Sequence, residues 1–400
     1  MKNRSLPMLA ALSVALAACS GQPSAPVEVT RQVEVTREVE VTRIVEVTPA
    51  VAPAAPVAPA APVAPAAPVE PAAPEPATGS GQTLAKVKER GKLLCGINGQ
   101  LPGFSFGDAQ TGAVAGFDVD FCRAIAAAIF GDKDAVEFKP YSAGQSFAAL
   151  QNGDIDVLIR NTTWTFSRNA EEKVNFAAVT FYDGQGLMVR KDSGIAGLED
   201  LADESVCVQK GTTTEANLAE FVSAGQAQFQ VTALDDADQT FAAYAQGSCK
   251  AVTADKSALI TRRALLPDPQ NHVILDATLS KEPLAPVIRQ DDPQWLTLVD
   301  WVVFATIAAE EFNLNSRNVE AAAETDGRLE VKRLLGSDPQ TDLGAKLGLP
   351  KNWAVNVIKA VGNYAEIYDR HFGPTTINQI PRGLNNLYRN GGLLYAPPFR

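Results

Sequence analysis

From Leu93 onward, short apolar segments alternate with stretches whose apolar positions recur at helical spacing. Leu93 to Ile97 reads as a strand, and in 117–130 the residues Phe117, Phe121, Ile125 and Ala128 share one face of a helix. Ala135 to Phe138 predicts a second strand, Ser142 to Gln151 a second helix and Asp156 to Ile159 a third strand. This βαβαβ order belongs to a parallel sheet with helices on both faces. Ligands of such sheets sit beyond the carboxyl ends of the strands, so the loop from Asn98 to Phe104 and the segment after Ile159 are expected to face one crevice.

A long strand-like segment, Tyr182 to Lys191, follows Val174-Asn175-Phe176 and carries Gly184 and Gly186, which suit a connection that must bend. A fresh alternation then begins. Strands are expected at Ser205 to Gln209, Gln228 to Val231 and Ala251 to Thr253, with helices opening at the Gly211-Thr212-Thr213-Thr214 turn, from Asp236 to Gln246 and from Lys256 to Leu265. His272 to Leu279 is again strand-like, Ser280 to Ile288 crosses back, and long helices from Gln294 to Glu311 and from Asn352 to His371 wrap the first unit. The pattern predicts an α/β protein of two lobes, each a sheet flanked by helices. Residues 83–184 form the first part of lobe 1, 185–282 lobe 2, and 283–400 the return to lobe 1 with the C-terminal helices.

The N-terminal stretch has another character. Lys2 and Arg4 precede an apolar run, Leu6 to Ala18, that is too short to span a bilayer, and Leu16-Ala17-Ala18-Cys19 ends it. This resembles a bacterial lipoprotein signal, which implies removal of residues 1–18 and lipidation of Cys19 as the anchor to membrane lipid on the outer side of the cell membrane. Next come Val-Glu-Val-Thr-Arg units recurring every six residues from Val27, and an Ala/Pro/Val repeat from Pro49 to Pro76. The prolines fix φ and remove donors, favouring extended polyproline II. At about 3.1 Å per residue, some thirty such residues reach on the order of 90 Å. Residues 19–82 are therefore expected to be a tether.

Charge and cysteine count narrow the function. The net charge of -11, without a basic cluster interleaved with aromatics, argues against nucleic-acid binding. Five cysteines become four once Cys19 is lipidated, and an oxidising extracytoplasmic space favours two disulfides. Three pairings are possible; Cys95 with Cys122 and Cys207 with Cys249 keeps each bridge within one expected lobe. With no C-x-x-C and only two histidines, His272 and His371, no metal or other cofactor is expected. Asp118 and Asp120 fall where acids favour a helix N-terminus.

The chemistry concentrates in Arg160-Asn161-Thr162-Thr163-Trp164-Thr165-Phe166-Ser167-Arg168, where an amide, hydroxyls and a guanidinium leave the end of a strand together. Oxygens of such a crest can accept an ammonium, and the fork of an arginine can clamp a carboxylate. With Gly-Phe-Asp-Val-Asp-Phe-Cys (116–122), Tyr-Asp-Gly-Gln-Gly (182–186), Val-Cys-Val-Gln-Lys-Gly-Thr-Thr-Thr-Glu (206–215) and Gly-Gly-Leu-Leu-Tyr-Ala-Pro-Pro (391–398), the crest makes the chain resemble the family 3 extracellular solute-binding proteins of ABC transporters, in their general L-amino-acid-binding branch. The resemblance runs from about Lys86 to Arg400. It implies a two-lobed periplasmic-binding-protein-like (type II) fold that closes on a free L-amino acid and delivers it to ABC permease subunits in the membrane, as a monomer.

By position, the resemblance implies that Arg168 grips the ligand α-carboxylate, where a planar fork suits a planar carboxylate better than Lys would. Thr213 holds the same carboxylate by hydroxyl and backbone N–H, Asp255 pairs with the α-ammonium, and Asn161 and Thr163 assist it. Asn98 stands near the place where relatives selecting basic amino acids often carry an acid, and Leu101 where they can offer an aromatic ring. Both departures point to a broad range of side chains, permissive or neutral-to-acidic, with polar, neutral and acidic ones favoured. Trp164 is a further candidate for the pocket wall. An enzyme of dehydratase type on the same fold is the alternative, but no H-E-x-x-H, G-x-S-x-G or Cys-His pairing supports it. A sensor presenting ligand to a membrane receptor would use the same pocket.

Overall fold

The computed structural model describes residues 82–107 and 111–400. The expected signal 1–18, the lipidation site Cys19 and the tether to residue 81 lie outside the described residues, and the last tether residue, Gln82, already belongs to a helix.

In chain order, lobe 1 begins with α1 (Gln82–Arg90), β1 (Leu93–Ile97), the short strands β2 (Gln100–Leu101), β3 (Ser105–Gly107) and β4 (Val114–Ala115), and α2 (Phe117–Phe130). It continues through β5 (Val136–Pro140), α3 (Ala143–Asn152), β6 (Val157–Leu158), α4 (Phe166–Glu171) and β7 (Val174–Phe176). The strand β8 (Phe181–Asp183) leads out to β9 (Gln185–Arg190), β10 (Ser205–Gln209), α5 (Thr213–Ser223), β11 (Gln230–Leu234), α6 (Ala237–Ala245), β12 (Ala251–Asp255), α7 (Lys256–Arg263) and β13 (His272–Ile274). The chain returns along β14 (Glu282–Leu284) to β15 (Val287–Arg289) and α8 (Pro293–Glu311). The C-terminal helices are α9 (Val319–Thr325), α10 (Leu329–Leu334), α11 (Leu343–Leu347), α12 (Trp353–Val361) and α13 (Tyr364–Phe372).

Two five-stranded sheets organise the lobes, in the orders β5-β1-β6-β15-β7 and β11-β10-β12-β9-β13. The expected parallel arrangement holds for β5, β1 and β6. It fails at β15, which runs antiparallel to β6 and β7 because it is supplied by the returning crossover and not by a βαβ unit. In the second sheet β11, β10 and β12 are parallel, while β9 and β13 are antiparallel additions. The crossovers β8 and β14 pair with each other as a separate two-stranded ribbon.

Three expected elements are broken. Tyr182 to Lys191 divides at Gly184 into β8 and β9. A Cβ on Gly184 would lie 2.4 Å from Thr278 Cγ2 and 2.9 Å from the Ser280 carbonyl oxygen, so only glycine fits between the crossover strands. The helix from Asn352 to His371 divides at Gly362, whose φ of 92° no helix accommodates. Asn363 then starts α13, its side chain accepting from Glu366 N at 2.9 Å while Glu366 Oε2 accepts from Asn363 N at 2.9 Å. Of His272 to Leu279, only His272–Ile274 pairs as strand; Leu275 and Leu279 still donate to Leu187 and Gln185 carbonyls.

The core of lobe 1 is continuous from β1 through α2 to the C-terminal helices. Trp295 and Trp353 are buried in it, and the Trp295 indole donates to the Asp156 carbonyl at 3.0 Å. Around Phe117 cluster Phe104, Phe121, Phe181, Tyr364, Tyr368 and Phe372, with ring centroids 5.1 to 6.2 Å from its own. Phe181 belongs to the crossover strand β8, so the cluster anchors one end of the hinge. Tyr364 Oη also donates to the Thr180 carbonyl at 2.7 Å. Disulfides join Cys95 on β1 to Cys122 on α2, and Cys207 on β10 to Cys249 just before β12. No helix among the described residues is long and apolar enough to cross a membrane.

The region beyond residue 325, which the sequence suggests is only a covering for lobe 1, also reaches the hinge. Asn385 is buried and closes a two-way pairing with β8: its Oδ1 accepts from Tyr182 N at 2.7 Å and its Nδ2 donates to the Tyr182 carbonyl at 3.1 Å. One side chain thus imitates a neighbouring strand. Asn385→Ala would leave both backbone groups unpaired and is expected to cost about 2 kcal/mol, measured as a lower denaturant midpoint at unchanged slope.

Candidate functional site

The crest grows out of β6 in an unusual backbone conformation. Asn161 has φ of 48°, a left-handed geometry that Asn tolerates better than most residues. Its N–H donates to Asp118 Oδ2 at 2.7 Å, so a carboxylate in the first turn of α2 fixes the bend. The acid read as a helix-terminal charge is therefore a support for the crest. Burial drives the Asp118 pKa up to about 7, against the lowering effects of that hydrogen bond and of Arg160. Asp120, on the same turn, instead engages Arg370 and His371, the latter at 2.7 Å, and they hold its pKa below the ordinary value against the burial that raises it.

Beyond Asn161 the crest pairs with the returning crossover. Thr163 bridges Leu284 in antiparallel fashion, Trp164 N donates to the Pro283 carbonyl at 2.8 Å and Ala285 N to the Thr162 carbonyl at 3.1 Å. Thr165 then caps α4, accepting from Arg168 N at 3.2 Å. Arg168 is held twice more: Nη1 donates to the Thr163 carbonyl at 2.9 Å, and the guanidinium lies 5.4 Å from the Phe147 ring centroid. Burial lowers its pKa, opposed by the charges of Glu282, Asp255 and Glu172.

Lobe 2 faces this crest with the start of α5 and the end of β12. Thr212 caps α5 by accepting from Glu215 N at 3.2 Å, which leaves Thr213 in the first turn with its hydroxyl toward the crest. Thr213 Oγ1 stands 3.5 Å from Thr163 Oγ1 across the cleft and donates to Glu282 Oε2 at 2.8 Å. Asp255 ends β12, is buried, and makes no capping hydrogen bond to α7. Its pKa is raised first by burial and then by the nearby charges of Asp183 and Glu282, and lowered in part by Arg168 and a hydrogen bond from the Asn161 side chain. Asp183, at the end of β8, is likewise driven by burial up to about 6, while hydrogen bonds from Ser257 and from Gly184 N oppose the shift.

Asn98, Asn161, Thr163, Arg168, Thr213 and Asp255 line a single cavity between the lobes, and Leu101 joins them. Asn98 Nδ2 donates to Asn161 Oδ1 at 3.0 Å, linking the loop after β1 to the crest. Trp164 is not among the lining residues. It stacks on Phe176 at 5.6 Å with an interplanar angle of 7° and is 43% exposed, because pairing of the crest with β14 turns it away from the cleft. Three further cavity-lining residues hold buried polar atoms without a hydrogen-bond partner: Arg160 Nε, Thr162 Oγ1 and Arg262 Nε. Unpaired buried polar atoms are rare in native interiors, and three around one cavity suit a polar guest.

The lobes meet directly. Arg262 on α7 pairs with Asp238 on α6 and donates through Nη2 to the Gln100 carbonyl of lobe 1. A second, outer cleft adjoins the cavity and shares Asn98, Arg160 and Gln209 with it. Sequence reasoning read Asp118 only as a helix-terminal charge and assigned no role to Arg160, Arg262 or the hinge carboxylates Asp183 and Glu282. For Arg160 a signal existed, a basic residue directly after a buried apolar strand; the others depend on tertiary contacts. Among the described residues no cluster of three or more His, Cys, Asp or Glu side chains could hold a metal. The arrangement suits binding a small zwitterion: a guanidinium and a hydroxyl at a helix start for an anion, and a buried carboxylate for a cation.

Comparison with known proteins accords with this geometry. Residues 93–317 match the model of the bacterial extracellular solute-binding proteins, family 3. The general L-amino acid-binding periplasmic protein of Rhizobium johnstonii is 46% identical over 321 residues, 80% of this chain and 94% of that protein. The glutamate/glutamine/aspartate/asparagine-binding protein of Rhodobacter capsulatus is 45% identical over 324 residues, again 80% and 94%. Among solved structures, a periplasmic binding protein of an ABC transporter from Brucella ovis with glutathione bound is similar with a TM-score of 0.77 and 44% identity, covering 80% of this chain and 99% of that one. These relatives are solute-binding proteins and not enzymes, and the chain belongs to the family 3 bacterial extracellular solute-binding proteins, in their general amino-acid branch.

Proposed function

We propose that the chain is the receptor of an amino-acid uptake system, anchored outside the cell membrane through lipid on Cys19. It closes its lobes on one free L-amino acid of polar, neutral or acidic side chain and presents it to ABC permease subunits. The observation that carries this reading is the meeting of Arg168 and Asp255, opposite charges from different lobes, in one buried cavity. Arg168 takes the α-carboxylate together with Thr213, and Asp255 takes the α-ammonium with Asn161 and Thr163. The names of the relatives from Rhizobium johnstonii and Rhodobacter capsulatus support the same class of ligand.

A second reading, a small peptide that ends in a free α-amino acid group, draws on the outer cleft. The glutathione in the Brucella ovis relative is a molecule of this kind. Here the amino-acid head would occupy the inner cavity and the remainder would extend past Asn98 and Arg160.

Isothermal titration of the purified full chain against the amino acids and glutathione tests both readings. Binding of no amino acid overturns the first, and binding of glutathione more tightly than of any amino acid replaces it with the second. Arg168→Ala is expected to weaken every amino acid alike, by roughly 100-fold or more, because it removes a charge-assisted pair with the group that all of them share. Loss for only some of them would refute the carboxylate assignment.

The raised pKa of Asp255 gives binding a pH dependence. An ammonium favours the ionised carboxylate, so ligand lowers that pKa and binding releases a proton wherever Asp255 is protonated in the free protein. Affinity should therefore fall on acidification and level off above the raised value. Titration in buffers of different ionisation enthalpy should show this proton release, and Asp255→Asn should abolish it. Without ligand the linkage has the opposite sense: Asp255 and Asp183 bind protons more tightly folded than unfolded, so their contribution to stability declines as pH rises. For Asp183 the decline spans the ordinary value of 3.8 to about 6.

A further inference from the structure

Among the side chains that line the cavity, the cation of Arg160 has no ion-pair partner, although the charges of Asp118 and Asp255 reach it and Glu282 and Asp183 act on Arg168 or Asp255 from behind the lining. Three guanidiniums line the cavity, from Arg160, Arg168 and Arg262, against the single carboxylate of Asp255. Arg262 is neutralised by its ion pair with Asp238. Arg168 and Asp255 together match a zwitterionic head and carry no net charge. Arg160 remains: it is 7% exposed, its Nε has no hydrogen-bond partner, and no carboxylate stands within ion-pairing distance of it among the described residues. Burial and the neighbouring Arg168 charge pull its pKa down to about 10, against the charges of Asp118 and Asp255, so the side chain stays cationic at neutral pH. Asp118 acts on Arg160 through its charge and not through a direct ion pair, and its Oδ2 accepts from Asn161 N.

Position adds to charge. Arg160 begins the crest, one residue before Asn161, and lines both the inner cavity and the outer cleft, as Asn98 does. It therefore lies at the side of the cavity that leads away from the head-group contacts, the direction in which a side chain would extend. A buried guanidinium with free donors favours a planar oxygen acceptor, and a carboxylate above an amide.

We infer that Arg160 is a specificity-determining residue that pairs with a second carboxylate, on the β or γ carbon of the bound amino acid, so that aspartate and glutamate are the preferred ligands. This rests on the amino-acid reading above, from which it selects a subclass. It would also explain how a buried cation is tolerated in the first lobe, since the charge is compensated when ligand arrives.

The test is calorimetric titration of the full chain and of Arg160→Gln and Arg160→Lys with L-glutamate, L-aspartate, L-glutamine and L-alanine. The wild type is expected to bind glutamate at least tenfold more tightly than glutamine, its neutral isostere. Arg160→Gln should lose roughly 10- to 100-fold for glutamate and aspartate while alanine changes less than about threefold, and Arg160→Lys should keep part of the preference as a point charge. Equal loss for all four ligands would make Arg160 a support of the crest and overturn the inference, as would equal wild-type affinity for glutamate and glutamine. Should either variant fail to fold, the wild-type comparison still decides. If the wild type binds no amino acid, the parent reading fails; if it binds them without favouring the acidic ones, only this inference does.

Discussion

Buried charge held short of a direct ion pair is the constraint on which the described structure turns. Asp255 sits in a cavity where burial first, and then the charges of Asp183 and Glu282, raise its proton affinity, while Arg168, a hydrogen bond from Asn161 and the charge of Arg160 oppose them. Desolvation of a charge costs several kcal/mol unless a partner offsets it. Bringing the lobes together would strip water from Asp255, Arg168 and Arg160 at once, a cost that a guest carrying the opposite charges would offset. Direct interlobe contacts include a 3.5 Å approach of two threonine hydroxyls, one guanidinium on a carbonyl and a hydrogen bond from the Asn161 side chain to Asp255. A cleft built this way suits an ionic guest, which fits the solute-binding role of the family.

Much of this was legible before any coordinates. The periodicity of 93–97, 117–130 and 205–209 marked elements whose bounds agree with the structure, because each is a buried segment with one dominant period and a clear turn signal at its end. Arg168, Thr213 and Asp255 took their roles from the resemblance; the pattern of the chain alone places them only at the end of a crest, at the opening of a helix and at the end of a strand. The misses have a common origin in long-range contact. Gly184 looks like a flexible point in the sequence, whereas its need for glycine comes from Thr278 and Ser280 nearly a hundred residues later. Trp164 was a reasonable pocket wall by proximity to the crest, but pairing with Pro283 and Leu284 decides which way it turns. Asn385 carried no signal at all, since an asparagine acting as a strand neighbour is defined only by the strand it meets.

The same contacts suggest how binding reaches the hinge. Asn161 and Thr163 are not separate from the crossovers: the crest is hydrogen-bonded to β14, β14 to β8, and β8 to Asn385. Glu282 sits at the start of β14, accepts from Thr213 of lobe 2, and bears on the charge of both Arg168 and Asp255. A change of charge in the cavity is therefore felt on a hinge strand within one residue of a direct contact. Phe181 and Tyr364 fix the lobe 1 end of that ribbon in the aromatic cluster. The opposite end, at Gly184, has no side chain to repack. The chain passes between the lobes at Gly184 and again before Glu282, and the C-terminal helices pack with the lobe 1 end of that ribbon through Tyr364 and Phe181.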